Sequence, residues 1–336
     1  MTFWLTALLI WVAAGARVGR VLVKPATTAR AAIVVAVAAV ALAVTVAIPE
    51  VGLAVDHLLP AGLPTGLLSD GIVVSAWVLF ASATSVVASA AWPVVSRRNL
   101  RQIASGIYVL GAAEIVLTLM VSHVVGWVVT AVGGVFIVVT GLRTLGWTAL
   151  GRGIAIYTAG TALVVALAVG QMQREVVEAP RADPGQPGWA WPLWQIAGLL
   201  IAFGAVWIVV ELWVRARLLL RRVRRLHRVL VKRFPEVVVH EQTGTPTQLK
   251  ASDQVAQIMD ALYLQSGGGA EFAAAGDPPA SVTERADRVA KWAGNPLGDV
   301  VVDARWIAPP DGVTPRGWVR AIAEAFEAEP EVPTSR

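Results

Sequence analysis

The sequence predicts an all-α polytopic membrane protein: a seven-transmembrane-helix bundle followed by a small, mainly helical cytoplasmic C-terminal domain. Three observations lead there. Hydrophobic residues make up 56% of the 336 and charged residues only 15%, a balance too apolar for a soluble domain of this size. The apolar residues gather into seven stretches, each long enough to cross a hydrocarbon core about 30 Å thick. The basic residues gather at alternate ends of those stretches, the pattern that orients helices in a bilayer.

The first span runs from Thr2 to about Val23. Its apolar part precedes Arg17, Arg20 and Lys24, whereas a secretory signal carries its positive charge first. The sequence therefore predicts a retained helix with its N-terminus outside and Arg17 and Arg20 snorkelling to the inner headgroups. The second span, residues 31–48, leads into an outer loop that holds Glu50, Asp56, His57 and Asp70 and no Lys or Arg. The third, 71–92, returns to Arg97, Arg98 and Arg101. The fourth, 103–121, and fifth, 126–142, form a hairpin around Ser122 and His123. The sixth, 154–172, starts after Arg143 and Arg152 and leads to an outer loop with Arg174, Glu175, Glu178 and Arg181.

The seventh span, 191–213, passes without a break into a basic helix over 214–234. Arg215, Arg217, Arg221, Arg222, Arg224, Arg225, Arg228, Lys232 and Arg233 occur there with no acidic residue among them. Summed over the segments beside the spans, up to residue 234, eighteen basic residues fall on the inner side and two, Arg174 and Arg181, on the outer. The N-terminus is therefore expected outside and the C-terminus in the cytoplasm of a cell-membrane protein. Trp92, Trp127, Trp147, Trp189, Trp191, Trp194 and Trp213 lie near span ends, where indoles favour the interface.

Residues 235–336 form the cytoplasmic domain, with fifteen acidic and eight basic side chains. Val255, Ile258, Met259 and Leu262 repeat at helical spacing. A Gly-rich linker is expected near 266–277. Ser281 and Glu284 make a capping box ahead of Val282, Ala286, Val289 and Ala290, with Gly294 and Pro296 as the stop. Pro315 opens a helix that sets Trp318, Ile322 and Phe326 on one face. The β-branched runs Val237–Val239 and Val300–Val302 could form short strands.

Few residues carry chemistry. Glu114 is the one ionisable group deep in a span, and a charge there costs several kcal/mol unless paired, protonated or facing water. Gly111, Glu114, Thr118 and Ser122 share one face, and Ser75, Ser82, Ser85 and Ser89 make a similar stripe on the third span. An intramembrane polar site at Glu114, Thr118, Ser82 and Ser85 and a plain interhelix hydrogen bond both fit this pattern. Asp56, His57 and His123, with Asp70, Glu175 and Glu178 beside them, are outer-face candidates for binding a cation or sensing pH. Arg215, Arg217, Arg221, Arg222, Arg224 and Arg225 are placed to meet anionic lipid headgroups or to dock the acidic domain, the latter with a steep salt dependence.

No cysteine occurs, which excludes disulfides and thiol chemistry. No phosphate loop, dinucleotide fingerprint, nucleophile elbow or metal-ligand spacing is present. The protein is expected not to be an enzyme, to need no cofactor or metal, and to bind no nucleic acid, its basicity serving topology.

Two stretches carry a resemblance. Ala54-Val-Asp-His-Leu-Leu-Pro-Ala-Gly-Leu-Pro-Thr-Gly-Leu-Leu-Ser69 and Arg225-Leu-His-Arg-Val-Leu-Val-Lys-Arg-Phe-Pro-Glu-Val-Val-Val239 resemble the outer loop and post-span segment of actinobacterial seven-helix membrane proteins. That family is labelled as transporters and carries a C-terminal cytoplasmic domain of unknown function. The chain departs from it at His227, where the family usually has tryptophan, and beyond Glu241. The resemblance implies membrane transport and no particular site residue. The chain read by itself favours a membrane sensor or regulator that passes an outer or intramembrane event to the cytoplasmic domain, ahead of a small-solute or proton-coupled transporter. A cytoplasmic protein partner of that domain is expected on the first reading.

Overall fold

The computed structural model describes residues 2–23, 27–60, 66–93, 95–178, 190–238, 247–268 and 275–328. They are helical throughout their regular structure, in twelve α-helices and one 3-10 turn, with no strand among the described residues. Seven helices are long and apolar enough to cross a membrane: α1 (Thr2–Val23), α2 (Thr28–Val46), α4 (Leu67–Ala90), α5 (Arg97–Met120), α6 (His123–Arg143), α7 (Ala149–Glu178) and α8 (Ala190–Arg233). A multi-pass membrane protein follows, because in lipid a chain must satisfy its backbone groups internally and helices do so. Hydroxyl residues begin several spans. Thr27, Ser96 and Ser122 accept hydrogen bonds from the free N–H groups of Arg30, Asn99 and Val124.

The chain divides into two compact units, Met1–Val209 and Val210–Arg336. In the first, α4 is the most deeply buried span, with α2, α5 and α6 packed against it and α7 against α6. The stretch after α2, expected to be loop, contains α3 (Pro49–Asp56). Pro49 at its first position, with Glu50 in the first turn, explains the start, and eight residues are too few for periodicity to announce. Small residues draw the helices together. Gly160 and Gly204 bring α7 and the first half of α8 into backbone contact, since a Cβ at Gly204 would lie 2.5 Å from the Tyr157 N. In the core, Trp77, Trp127 and Trp194 join Ile10, Val37, Val40, Phe80 and Ile201.

In the second unit the latter half of α8 packs with α9 (Thr247–Gln265), α10 (Val282–Gly294), α11 (Ala304–Ile307) and α12 (Pro315–Ala328). The compact unit therefore starts inside α8 at Val210, whereas composition placed its boundary at Pro235. The reason is an apolar stripe among the arginines: Val223, Leu226 and Leu230 are fully buried with Ile258, Leu262, Val289, Trp306, Trp318 and Ile322. Ser281 caps α10 through the Glu284 N–H, and α10 stops at Gly294. Pro315 opens α12, which buries Trp318, Ile322 and Phe326.

The two suggested strands do not form. Val237 ends a 3-10 turn set off by Pro235, and Val239 lies outside the described residues. Val300–Val302 is irregular, with Val302 buried in the core instead of pairing. The expected linker lies partly outside the described residues, at 269–274.

Arg285 is the polar staple of this unit. Its guanidinium donates to the carbonyls of Trp306 (2.9 Å), Ala308 (2.6 Å) and Arg305 and lies over the Trp318 ring. Burial pulls it below its ordinary pKa, with Asp311 acting the other way. A lysine has a single ammonium with which to meet these carbonyls. Arg285→Lys is therefore expected to destabilise the unit by about 2 kcal/mol, seen as a lower midpoint in denaturation of the full chain, whereas Arg288→Lys on the exposed side of α10 should leave it unchanged.

Candidate functional site

The candidate site is a cavity of about 400 Å³ at the α3 end of the first unit. Its walls come from α2, α3, α4, α6 and α8, and its floor includes Trp77, Trp127 and Trp194. These indoles are almost wholly buried and fan around Trp194, with ring centroids 5.0 Å and 5.5 Å apart. Trp127 is fixed by donating its Nε1–H to Glu175 at 2.9 Å. The Trp194 indole N–H is buried with no hydrogen-bond partner among the described residues. Trp127 and Trp194, read from the sequence as interfacial, are thus wall and core. Their position near the span ends is as expected, but the Trp127 ring packs on Trp194 and the Trp194 ring on Trp77, inside the unit.

Among the described residues the polar side chains with a hydroxyl or carboxyl that line the cavity are Asp56, Ser69 and Asp70. Asp56 is committed to structure. It accepts the N–H groups of Gly66 (2.8 Å), Leu68 (3.1 Å) and Ser69 (2.9 Å) and the Ser69 hydroxyl (2.9 Å), tying the end of α3 to the unsatisfied N-terminus of α4. Burial alone would raise its pKa, but these hydrogen bonds, led by Ser69, hold it below the usual aspartate value. A lowered folded-state pKa contributes stability that is present above the unfolded value near 3.8 and is lost as pH falls through the lowered one. Asp56→Ala should loosen the connection by about 2 kcal/mol after allowing for solvent screening. Faster proteolysis between α3 and α4 at neutral pH would show it, and wild type should resist until the pH drops below 3.8.

Asp70 has no such commitments. It makes no hydrogen bond or ion pair among the described residues, and lies within electrostatic reach of His123 and Asp56. His123, the first residue of α6, packs on α4, with Nε2 3.7 Å from where a Cβ on Gly71 would be. It also feels Glu175. Three acidic groups and one histidine therefore surround the tryptophan floor. His57 is exposed at the end of α3 and does not line the cavity. The Glu178 side chain lies outside the described residues.

The intramembrane stripe is brought together but is spent on packing. Gly111 sits against Ser82, so that a Cβ there would lie 2.4 Å from its Oγ, and Thr118 packs on Gly126. Ser82 donates to the Val78 carbonyl (2.9 Å), Thr118 to the Glu114 carbonyl (2.8 Å) and Ser89 to the Ser85 carbonyl (2.8 Å). Ser85 approaches Gly133. The Glu114 side chain is half-buried on α5, and none of Glu114, Thr118, Ser82 and Ser85 lines either cavity of this unit.

A second cavity of about 240 Å³ lies at the opposite end of α4, lined by Thr84, Thr140, Thr158, Tyr157 and Arg17. The Tyr157 and Thr84 hydroxyls share a 2.7 Å hydrogen bond. Phe80 and Ala81, both fully buried, occupy α4 between the two cavities.

The basic helix faces two ways. Arg222 pairs with Glu324 at 2.7 Å, and Arg225 lies over the Phe326 ring. His227 shares a 2.7 Å hydrogen bond with Gln257. Arg215 pairs with Glu211 at 2.5 Å and Arg217 covers Trp213, while Arg221 and Arg224 are exposed. Because Val223, Leu226 and Leu230 supply the buried contact and the Arg222–Glu324 pair is half exposed, charge contributes only about 0–1 kcal/mol. The association should be nearly indifferent to salt, in contrast to the expectation from charge alone. Thermal melts of the full chain at low and high salt would check this.

Among the described residues no group of three or more His, Cys, Asp or Glu could hold a metal ion. No family model matches the chain, and no curated protein matches it.

Proposed function

We propose that the protein is a cell-membrane sensor or regulator, with its N-terminus and the α3-end cavity outside and the Val210–Arg336 unit in the cytoplasm. The observation that carries this reading is the reach of α8. One unbroken helix of 44 residues contributes Trp191 and Trp194 to the cavity and Val223, Leu226 and Leu230 to the core of the C-terminal unit. A ligand that alters the seating of Trp194 biases the helix on which that unit is built. The distribution of basic residues supports the orientation, and the exposed Arg221 and Arg224 suit anionic lipid headgroups. The C-terminal unit would hand the signal to a cytoplasmic protein.

Filling the cavity by substitution mimics occupancy. Ala47 lines it and is half-buried, so Ala47→Trp should change hydrogen exchange in 219–230 and 255–262 of the full chain in nanodiscs. Changes confined to α3 and the start of α4 would sink the sensor reading.

A second reading, a small-solute or proton-coupled transporter, has one observation in its favour: two cavities at opposite ends of α4, parted by Phe80 and Ala81. Alternating access would need that plug to yield. Solute accumulation in proteoliposomes that Phe80→Ala alters would favour transport. Because Glu114 lines neither cavity, Glu114→Gln should leave such flux within about twofold, whereas Glu114-dependent proton coupling would restore it as the central residue and end the sensor reading.

A further inference from the structure

The α3-end cavity has a composition that narrows what it can hold. Its size, about 400 Å³, is that of a small-ligand site. The floor is three buried indoles, and its sides are small apolar residues such as Val44, Ala47 and Val73. Among the described residues no lysine or arginine lines it. One carboxylate, that of Asp70, lies at its wall without a hydrogen-bond or ion-pair partner among the described residues. The neighbouring carboxylates are already engaged, Asp56 by the α4 N-terminus and Glu175 by Trp127.

These features exclude most ligand classes in turn. An anion would face Asp56, Asp70 and Glu175 with only His123 in compensation. A divalent metal ion wants six or more oxygen ligands or several nitrogen ones, and no three candidate ligands come together among the described residues. A neutral apolar molecule would fill the indole floor but leave the Asp70 charge unused. A cation with an apolar body uses both. Its charge is attracted by Asp70 and by the quadrupoles of electron-rich rings, tryptophan giving the strongest such interaction. The Glu175 carboxylate adds to this, since an indole that donates its N–H to an anion gains electron density on its faces.

A further observation is independent of the charges. Trp194 lines the cavity, and its N–H is buried with no hydrogen-bond partner among the described residues; an isolated buried donor costs free energy that a bound acceptor would recover if the ring shifts to open it to the cavity. A hydroxyl or carbonyl on the ligand would serve.

We propose that this cavity binds an organic ammonium ion, with Asp70 taking its charge, Trp77, Trp127 and Trp194 enclosing its apolar body, and Glu175 acting as a positioning residue through Trp127. The inference rests on the reading of this cavity as the sensor's ligand site and adds the ligand's class.

The test is calorimetric titration of the full chain in nanodiscs with three benzyl compounds that differ in charge: benzyltrimethylammonium, neutral phenylacetamide and phenylacetate. The cation should bind at least about tenfold more tightly than the other two, and Asp70→Asn should remove most of that preference while leaving the phenylacetamide affinity unchanged. Should Asp70→Asn fold poorly, the charge selectivity of the wild type decides alone. Equal or tighter binding of the neutral or anionic probe overturns the ligand class but leaves the cavity a ligand site. Absence of binding by all three also overturns the ligand class. The sensor reading is judged separately, by hydrogen exchange in Ala47→Trp, which needs no ligand.

Discussion

A Leu226→Asp substitution is expected to unfold the C-terminal unit while leaving the seven apolar helices inserted. Leu226 lies on α8 amid a run of arginines, and charge alone would class its surroundings as solvated surface. The structure buries it completely with Val223 and Leu230 against α9, α10 and α12. Truncation of such a leucine to alanine costs about 2–5 kcal/mol. A carboxylate adds the penalty of an unpaired buried charge, several kcal/mol more, and the sum rivals the whole stability of a unit this size, roughly 5–15 kcal/mol. Limited proteolysis of the full chain in nanodiscs should then cut freely within α9–α12. The control is Arg224→Asp, two residues earlier on an exposed face, which changes the charge by twice as much and should leave the cleavage pattern as in wild type. If Arg224→Asp proves the more damaging, the unit is held by charge and the apolar stripe has been misjudged.

The second large effect belongs to the membrane unit. Gly204→Val should prevent recovery of folded, monodisperse protein. A Cβ at Gly204 would come within 2.5 Å of the Tyr157 N, 2.8 Å of its Cα and 2.9 Å of the Gly153 carbonyl oxygen. These are backbone atoms, so no side chain can swing away and α7 and α8 must separate. Overpacking in a core commonly costs about 1–3 kcal/mol, and more is expected where two helix backbones meet, because interhelical packing in lipid depends on such close approach. The same separation would pull apart Tyr157 and Thr84 at the second cavity. Gly106→Val on α5, where nothing lies within 4 Å, is the matched control and should be tolerated. Size-exclusion profiles after graded heating in detergent would compare the two.

The membrane half of the fold was plain in the sequence because the bilayer imposes one simple requirement, about twenty apolar residues between polar ends. Span ends moved by a few residues, as with α5, which begins at Arg97 instead of Ile103. The C-terminal helices were legible from local punctuation: Ser281 and Glu284 at one end of α10, Gly294 at the other, and Pro315 at the start of α12. The division between units was not. Val223, Leu226 and Leu230 are only three residues in a run of arginines, and whether such a stripe faces lipid or protein depends on partners distant in sequence.

The site was less legible still. Asp56 and His123 were singled out for their residue type, and the structure gives Asp56 to the cap of α4 while setting His123 beside Asp70. Glu114 attracted attention by its depth and by the small, polar face it shares with Gly111 and Thr118, yet it lies apart from both cavities. Trp77, Trp127 and Trp194 come from three different helices, and no spacing within one helix reveals that their rings converge. The sole hint was Trp77 itself, an indole in mid-span, away from the interface where tryptophan is commonest.

The proposed orientation underlies the whole account, since it would make the tryptophan cavity face the surroundings and the Val210–Arg336 unit face the cell. The chain has no cysteine, so single cysteines report without background. Leu58, beside the α3 end, and Leu297, after α10, are both strongly exposed, at 78% and 97%. With a membrane-impermeant maleimide on intact cells, Leu58→Cys should label at once and Leu297→Cys only after the cells are opened. Labelling of Leu297→Cys from outside, with Leu58→Cys protected, would contradict the account.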